Sequence, residues 1–234
     1  MKTIKKITYL IAILLFTSCG KEECINLPCG GSNTNPMVDL IILIDCSGSM
    51  SSVANDISNQ ADTAISLALQ DCPSDLRVTW LGLDGTWIGT KFITNHKTYL
   101  TGLGVTPLPA NNEQGAIAIQ DLSNNFDWRP GSCRAIFYIS DEPINSNFGQ
   151  ALDDSETIKG ITEANNNSVT VSANFLGNAN FPTYLANYQK ITSETGGQLF
   201  NSSNPLPANY YIQQSVFNSL VCNACNNCQI NIQP

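Results

Sequence analysis

The hydrophobic pattern of this chain alternates between short apolar runs and longer segments with helical spacing. Val38 to Ile44 is a nearly unbroken apolar run that ends at Asp45, which is typical of a central strand covered on both faces. Between about Ser52 and Leu69, apolar residues instead recur every three or four positions. This spacing places them on one stripe, so the pattern predicts an amphipathic helix directly after the first strand.

The same two patterns continue along the rest of the chain. Further strands are predicted at 76–83, 87–94, 134–140, 169–176 and 198–200, and further helices at about 113–122, 150–164, 182–195 and 209–221. Because strands alternate with helices, the order predicts an α/β fold with a doubly wound, mostly parallel, six-stranded sheet and helices on both faces. An Asp84-Gly85 turn separates the strands at 76–83 and 87–94, so we expect a hairpin whose second strand is an antiparallel edge.

The N-terminal segment has the pattern of an export signal. Three lysines lie within the first six residues, and the apolar run 7–16 is too short to span about 30 Å of hydrocarbon. Residues 16–19, FTSC, resemble a bacterial lipobox, in which Cys19 is lipidated and becomes the new first residue. The alternative is an ordinary signal peptide followed by a chance cysteine.

These features predict the organisation of the whole chain. We expect a signal peptide at 1–18, a lipidated cysteine and flexible tether at 19–36, one folded domain at 37–221, and a Cys-rich tail at 222–234. Residues 21–23, KEE, resemble a signal that sends some lipoproteins of Gram-negative bacteria to the outer face of the cell, although such triplets are also common in solvated tethers. The predicted location is the bacterial cell envelope, with a lipid anchor in the outer membrane as the sole membrane contact.

The charge balance narrows the class of partner. The net charge is −8, and removal of a signal with three lysines and no acid leaves −11. Proteins bind nucleic acid largely by neutralising phosphates with Lys and Arg, so nucleic acid is not an expected partner. A cation or a basic surface is easier to accommodate.

The nine cysteines agree with export. If Cys19 carries lipid, eight remain, and an even count in an oxidising compartment predicts several disulfides whose connectivity the sequence does not give. Cys24 and Cys29 lie at one end of the domain and the trio at 222, 225 and 228 at the other, so we expect cross-bridges between the two ends. The C-x2-C-x2-C spacing of the trio leaves an iron-sulfur or zinc site as the alternative.

Candidate chemistry lies directly after the first strand. Asp45, Ser47 and Ser49 form a D-x-S-x-S loop that offers hard oxygen ligands, which suit Mg²⁺, Mn²⁺ or Ca²⁺. Gly48 lets the two serines point the same way, and Cys46 is expected to be a small buried apolar residue. The alternative is that the loop only caps the following helix.

Residues 37–221 resemble the von Willebrand factor type A (VWA) family, whose D-x-S-x-S loop forms a metal-ion-dependent adhesion site. The resemblance implies a Rossmann-like fold in which Ser47 and Ser49 bind the ion directly and Asp45 acts through water. It also implies a further ligand after the fourth strand of the sequence, where Asp141 stands.

The second loop departs from the usual family pattern. Relatives place a Thr there, whereas residues 112–119 contain none and are similar to the Pro-Glu-Gly-Gly segment of integrin β subunits, in which Glu replaces it. The resemblance therefore implies Glu113 as the ligand from this loop. The alternative is a first-turn carboxylate favoured by the helix dipole.

The function that the resemblance implies is capture and not turnover. Mg²⁺ is the expected ion, with Mn²⁺ or Ca²⁺ possible, and a protein ligand presenting a carboxylate would complete its coordination. No enzyme is expected, because no base with a neutral pKa is evident near these motifs, and the single histidine, His96, is predicted to be a solvated loop imidazole. Two alternatives stay open: an accessory subunit of a metal-assisted hydrolase, and a structural scaffold without metal.

Overall fold

A five-stranded parallel sheet forms the centre of the computed structural model, which describes residues 35–109, 114–145, 150–177 and 182–230. The strands are β1 (Met37–Asp45), β2 (Asp75–Leu83), β3 (Cys133–Ser140), β4 (Val169–Phe175) and β5 (Leu199–Asn201). Their lateral order is β2-β1-β3-β4-β5, and all four neighbouring pairs are parallel. The prediction of an α/β fold is confirmed.

Helices cover both faces of this sheet. They are α1 (Ser51–Asp71), α2 (His96–Gly102), α3 (Gly115–Asn125), α4 (Gln150–Asn166), α5 (Pro182–Glu194), α6 (Tyr210–Gln213) and α7 (Val216–Ile230). One apolar cluster joins the sheet to α1, α6 and α7, and a second joins it to α2, α3, α4 and α5. The sheet is therefore doubly wound, as predicted.

The central position of β1 in the sheet explains why its sequence is one continuous apolar run. Leu40, Ile42 and Ile44 belong to the cluster with α1 and α7, whereas Ile41 and Leu43 belong to the opposite cluster. All five side chains are buried, and each such burial contributes roughly 1.5–3 kcal/mol. The central position of β1 thus requires apolar residues on both faces.

Residues 87–94 do not form the predicted antiparallel edge strand, so the described part of the chain has five strands and not six. The segment bonds to itself: Trp87 N donates to Phe92 O at 2.8 Å, and Thr90 Oγ1 donates to Trp87 O at 2.8 Å. Lys91 N donates to Ser58 Oγ of α1 at 3.0 Å. The end of the segment contacts β2 where Gly82 N donates to Thr94 O at 2.9 Å, but the bridge there is parallel, so the segment does not form a hairpin with β2.

Two helical regions also differ from the predictions. The predicted helix 209–221 is divided into α6 and α7 at Ser215, whose φ of 50° lies in the left-handed region that interrupts a right-handed helix, and α7 continues to Ile230. Helix α2 was not predicted, although Asn95 caps it by accepting from Lys97 N at 2.8 Å. The prediction for His96 is wrong, because the imidazole is 1% exposed at the start of α2.

One disulfide joins the two helices α1 and α7. Cys72, directly after α1, is bonded to Cys222 of α7, and their Cα atoms are 5.6 Å apart. Cys222 therefore pairs inside the domain and not with the N-terminal cysteines, as was predicted for the trio, and the three cysteines at 222, 225 and 228 cannot act together as metal ligands. Cys19, Cys24 and Cys29 lie outside the described residues, so lipidation and a bridge to the N-terminal segment stay predictions. Within the described ranges, no helix has the length and apolar character needed to cross a membrane.

Candidate metal centre

The D-x-S-x-S loop lies at the point where the chain direction across the sheet reverses. Strand β1 has β2 on one side and β3 on the other, and ligand sites in open parallel sheets lie at the carboxyl ends of strands at such a point. Asp45 is the last residue of β1, and Asp141 directly follows β3. Since β1 and β3 are parallel neighbours, the sheet brings these two carboxylates to the same edge.

Asp45 holds the loop from behind. Its Oδ1 accepts from Ser47 N at 2.8 Å, and its Oδ2 accepts from Ser47 Oγ at 3.1 Å and from Ser140 Oγ at 2.9 Å. The Asp45 side chain is fully buried. Both of its oxygens are therefore engaged in orienting neighbouring groups, which suits an indirect role in metal binding.

The two serines and Asp141 present a continuous row of oxygens in front of Asp45. Ser47 Oγ is 3.0 Å from Ser49 Oγ, and Ser49 Oγ donates to Asp141 Oδ1 at 3.1 Å. A short 3-10 turn at Gly48–Met50 shapes the loop, and the buried Met50 side chain fixes it to the core. Because Ser49 is exposed, the row of oxygens is open to solvent.

The spacing of these oxygens is compatible with a divalent ion. Neighbouring ligands of an octahedral ion with bonds of 2.0–2.1 Å are separated by roughly 2.9 Å, and equatorial ligands of a seven-coordinate Ca²⁺ by roughly 2.8 Å. The hydrogen-bonded separations of 3.0 and 3.1 Å are close to both values and do not distinguish Mg²⁺ from Ca²⁺. Within the described ranges, no three Asp, Glu, His or Cys side chains converge, so such a site depends on the serine hydroxyls.

Negative charge accumulates at this edge without a basic counterpart. Burial raises the pKa of Asp45 and the charge of Asp141 adds to that effect, against hydrogen bonds from Ser47 and Ser140 that lower it. Burial and the charges of Asp141 and Asp45 also raise the pKa of Glu142. Among the ion pairs of the described residues, none includes these three acids. A bound cation would remove this repulsion.

Glu113, the ligand predicted from the second loop, lies outside the described residues. The chain is described again from Gln114, and α3 begins one residue later. A Cβ atom added to Gly115 would lie 2.4 Å from the Tyr138 ring of β3, and Ala116 N donates to Ile144 O at 2.9 Å. These contacts fix the start of α3 beside the carboxyl end of β3, and the role of Glu113 stays a prediction.

Two polar residues of the site were not predicted from the sequence. Ser140 donates to Asp45 and also accepts from Glu142 N at 3.0 Å, so it joins the ends of β1 and β3. A hydroxyl directly before Asp141 is the sequence signal that could have identified it. Asn204 comes from the loop after β5 and donates to Ser49 O at 2.9 Å and to Asp141 Oδ2 at 3.3 Å. No local motif marks this asparagine.

Cys46 packs beneath the loop and not into the row of oxygens. A Cβ atom on Gly82 would lie 2.7 Å from Cys46 Sγ, and one on Gly85 would lie 2.7 Å from Cys46 Cβ. The thiol is half-buried, and burial, followed by the charge of Asp45, raises its pKa to about 12. Cys46 is therefore a neutral packing residue at neutral pH, although it is less deeply buried than predicted.

A cavity of about 610 Å³ lies at the opposite edge of the sheet. Its lining includes Arg134, Thr170 and Asn227, together with the turn that precedes β4. The buried hydroxyl of Thr170 already accepts from Asn227 Nδ2 at 3.2 Å, and Arg134 donates to the Asn167 carbonyl at 3.0 Å. These polar groups are occupied by one another, so the cavity offers less chemistry than the edge with Asp45.

Comparison with known proteins supports the fold. No protein-family profile and no curated protein matches the chain. Among solved structures, it is similar to the SpRpn10 VWA domain, with 14% identity over 78% of this chain and 97% of that chain and a TM-score of 0.50. A mutant of the PilB minor pilin from Streptococcus sanguinis matches with 9% identity, 88% and 65% coverage and a TM-score of 0.53.

Human COPII-coat protein Sec24c also matches, with 11% identity and a TM-score of 0.51. The match covers 84% of this chain and 33% of that larger protein. At such identities the likeness concerns the fold alone. The chain therefore has the fold of a VWA domain, with the D-x-S-x-S loop at its sheet edge.

Proposed function

We propose that this chain is a divalent-metal-dependent protein-binding module that grips an acidic group of a partner through Mg²⁺. The observation that carries the proposal is the row of oxygens from Ser47, Ser49 and Asp141, spaced 3.0–3.1 Å apart. It lies where β1 and β3 end side by side, and its acids have no ion pair among the described residues. Hard oxygens with uncompensated negative charge are the donor set that Mg²⁺ prefers.

The residues of this site would have different roles in binding the ion. Ser47, Ser49 and Asp141 would hold the ion, with Glu113 as the ligand expected from the second loop. Asp45 fixes the orientation of Ser47 by accepting two hydrogen bonds from it, and a third hydrogen bond from Ser140 holds the Asp45 carboxylate. When bound, the ion supplies an open coordination position that a partner carboxylate can complete. The hydroxyl and carboxylate oxygens support Mg²⁺, and Mn²⁺ has the same preference for hard oxygens.

Binding without turnover is the activity that we propose. A general base must be free to accept a proton, yet both Asp45 oxygens are occupied by Ser47 and Ser140. His96 is buried with its Nδ1 3.4 Å from the Gly82 carbonyl, and burial lowers its pKa to about 4. Neither group is suited to base catalysis at this edge of the sheet.

The anchor that we propose is a lipid on Cys19, which would hold the domain at the outer membrane of the bacterial envelope. Its support is the lipobox-like sequence that follows an apolar run of signal-peptide length. Metabolic labelling with a fatty acid tests it: the wild-type protein should incorporate label, and Cys19→Ala should not. Equal labelling of both proteins would exclude Cys19 as the attachment site.

Calorimetric titration with Mg²⁺ and Mn²⁺ tests the metal centre. Wild type should bind one ion, and Ser47→Ala combined with Ser49→Ala should abolish saturable binding because two ligands are lost. Ser51→Ala combined with Ser52→Ala is a matched control, since these exposed serines begin α1 beside the loop. No binding by folded wild type would leave the scaffold interpretation.

The partner is tested next, in the presence of the ion that binds. Protein ligands retained with Mg²⁺ should be released by a chelator and should not bind the Ser47→Ala, Ser49→Ala variant. Turnover of a hydrolase substrate that Asp45→Ala abolishes would instead support the accessory-subunit alternative.

A further inference from the structure

Asn204 links the two loops that carry the metal-binding oxygens. Its amide nitrogen donates to Ser49 O at 2.9 Å and to Asp141 Oδ2 at 3.3 Å, and the side chain is half-buried. The two acceptors lie 155 and 63 residues away in the sequence. One side chain from the loop after β5 therefore joins the ends of β1 and β3.

The contact limits how the Asp141 carboxylate can turn. One carboxylate oxygen accepts from Ser49 Oγ and the other accepts from Asn204, so donors hold the group at both ends. The second Asn204 contact holds the backbone of Ser49 in the same frame. Asn204 therefore acts on the relative position of Ser49 and Asp141, two groups that would bind the ion.

The loop that presents Asn204 is itself fixed on both sides. Ser202 N donates to Phe175 O at 3.1 Å, and Ser202 Oγ donates to Asn174 Oδ1 at 3.0 Å. On the other side, the Leu206 side chain is buried in the cluster with α1 and α7. The residues that flank Asn204 are thus anchored to β4 on one side and to the core on the other.

We propose that Asn204 is a positioning residue of the metal centre, which acts through Asp141 and Ser49 to set both the affinity and the preference for Mg²⁺ over Ca²⁺. This inference rests on the proposed metal-binding function. Mg²⁺ demands near-ideal octahedral geometry, whereas Ca²⁺ accepts longer and more variable bonds. A loosened Asp141 should therefore cost more Mg²⁺ affinity than Ca²⁺ affinity.

Titration of Asn204→Ala with Mg²⁺ and with Ca²⁺ tests the proposal. We expect about a tenfold loss of Mg²⁺ affinity, the size typical for residues that orient metal ligands, and a loss for Ca²⁺ of roughly threefold or less. Asn201→Ala is the matched control, because Asn201 is exposed at the end of β5 in the same loop region and should leave both affinities unchanged. Thermal unfolding without metal is measured for each variant.

The ratio of the two affinities separates positioning from general stability. A lower melting temperature of Asn204→Ala with unchanged affinities for both ions would overturn the proposal, as would an equal loss for both ions. Should the alanine variant not fold, Asn204→Gln tests the same contacts, because one added methylene displaces the amide from its two acceptors. If Asn204→Ala binds both ions as wild type does while the Ser47→Ala, Ser49→Ala variant binds none, only the role of Asn204 is rejected. If wild type itself binds no ion, the proposed metal centre is rejected as well.

Discussion

At the scale of single residues, the charge of Asp39 is the clearest case of a buried ion held by its neighbours. Asp39 is 1% exposed at the start of β1 and accepts from Arg77 Nε at 3.0 Å, Arg129 Nε at 2.7 Å and Ser132 Oγ at 2.9 Å. Burial by itself would raise the pKa of Asp39, but these hydrogen bonds outweigh burial and lower it. The ionised form is therefore the one that the fold stabilises.

We expect Asp39→Asn to lower the free energy of unfolding by about 2 kcal/mol at pH 7. The half-buried guanidinium groups of Arg77 and Arg129 lose the carboxylate that they share and keep only their more exposed partners. A folded-state pKa below the unfolded value of about 3.9 means that the contribution is present above that pH and lost as the pH falls through the folded pKa. In urea unfolding, the free energy of unfolding should change less between pH 7 and pH 3 for the variant than for wild type.

The matched control is Asp62→Asn. Asp62 pairs with Lys91 at 2.8 Å but its side chain is 85% exposed, and surface pairs contribute at most about 1 kcal/mol. An equal loss of stability in both variants would contradict the importance of burial at Asp39.

At the scale of elements, helix α4 carries a buried acid in its first turn. Asp153 is 3% exposed in the first turn, and its Oδ1 has no hydrogen-bond partner in the described structure. Burial, followed by the charge of Asp154, raises the pKa of Asp153 to about 6. Ionisation of Asp153 is therefore unfavourable in the folded protein.

We predict that Asp153→Asn raises stability at pH 7 by about 1 kcal/mol, a figure reduced for solvent screening at the helix end. Because the folded pKa lies above the unfolded value of about 3.9, the cost is absent at lower pH and grows between about pH 4 and 6. Thermal unfolding followed across this range should show wild type losing stability relative to the variant as the pH rises. Asp154→Asn, at the exposed neighbouring position, should give a much smaller gain. If the melting temperatures of wild type and Asp153→Asn change with pH in the same way, Asp153 does not have the raised pKa.

Elements buried on both faces were the ones that the sequence predicted well. The apolar run of β1 was identified because a central strand admits no polar face, whereas residues 87–94 only resembled a strand: Phe92 packs in the core while Ile88 is 97% exposed. The loop is determined by its own hydrogen bonds and by contact with α1, and no local pattern reports such contacts. The same limit applies to the site. Asp45, Ser47 and Ser49 form a local motif, but Asn204 comes close to Ser49 and Asp141 only because of the strand order of the folded sheet.

At the scale of the whole molecule, the candidate metal centre and the disulfide lie at opposite ends of α1. Ser51 begins this helix beside the D-x-S-x-S loop, and Cys72 directly follows its last residue. A helix of 21 residues is roughly 30 Å long, so the Cys72–Cys222 bond fixes α7 far from the loop. The molecule thus has one covalently fixed end and one end where acids accumulate.

These acids predict that the metal-free protein is less stable than it would be without them, while the proposed metal binding depends on them. Burial is the largest cause of the raised pKa values of Asp45 and Glu142, and the negative charge of Asp141 adds to both. Asp141→Asn should therefore raise the melting temperature of the metal-free protein. If Asp141 is a ligand as proposed, the same change should abolish stabilisation by Mg²⁺, which is expected to be about 2.7 kcal/mol for wild type when the ion is present at one hundred times its Kd.

Thermal unfolding of wild type, Asp141→Asn and the exposed control Asp154→Asn, each with and without Mg²⁺, measures both effects in one experiment. If Asp141 is a metal ligand, the variant should be more stable than wild type without Mg²⁺ and less stable with it. The reason is that the carboxylate contributes affinity for the ion and lowers stability when the ion is absent. A variant that is less stable than wild type in both conditions would instead assign Asp141 a structural role at the end of β3. Reversal of the order on addition of Mg²⁺ is the result that only a metal ligand explains, since a purely structural carboxylate responds equally in both conditions.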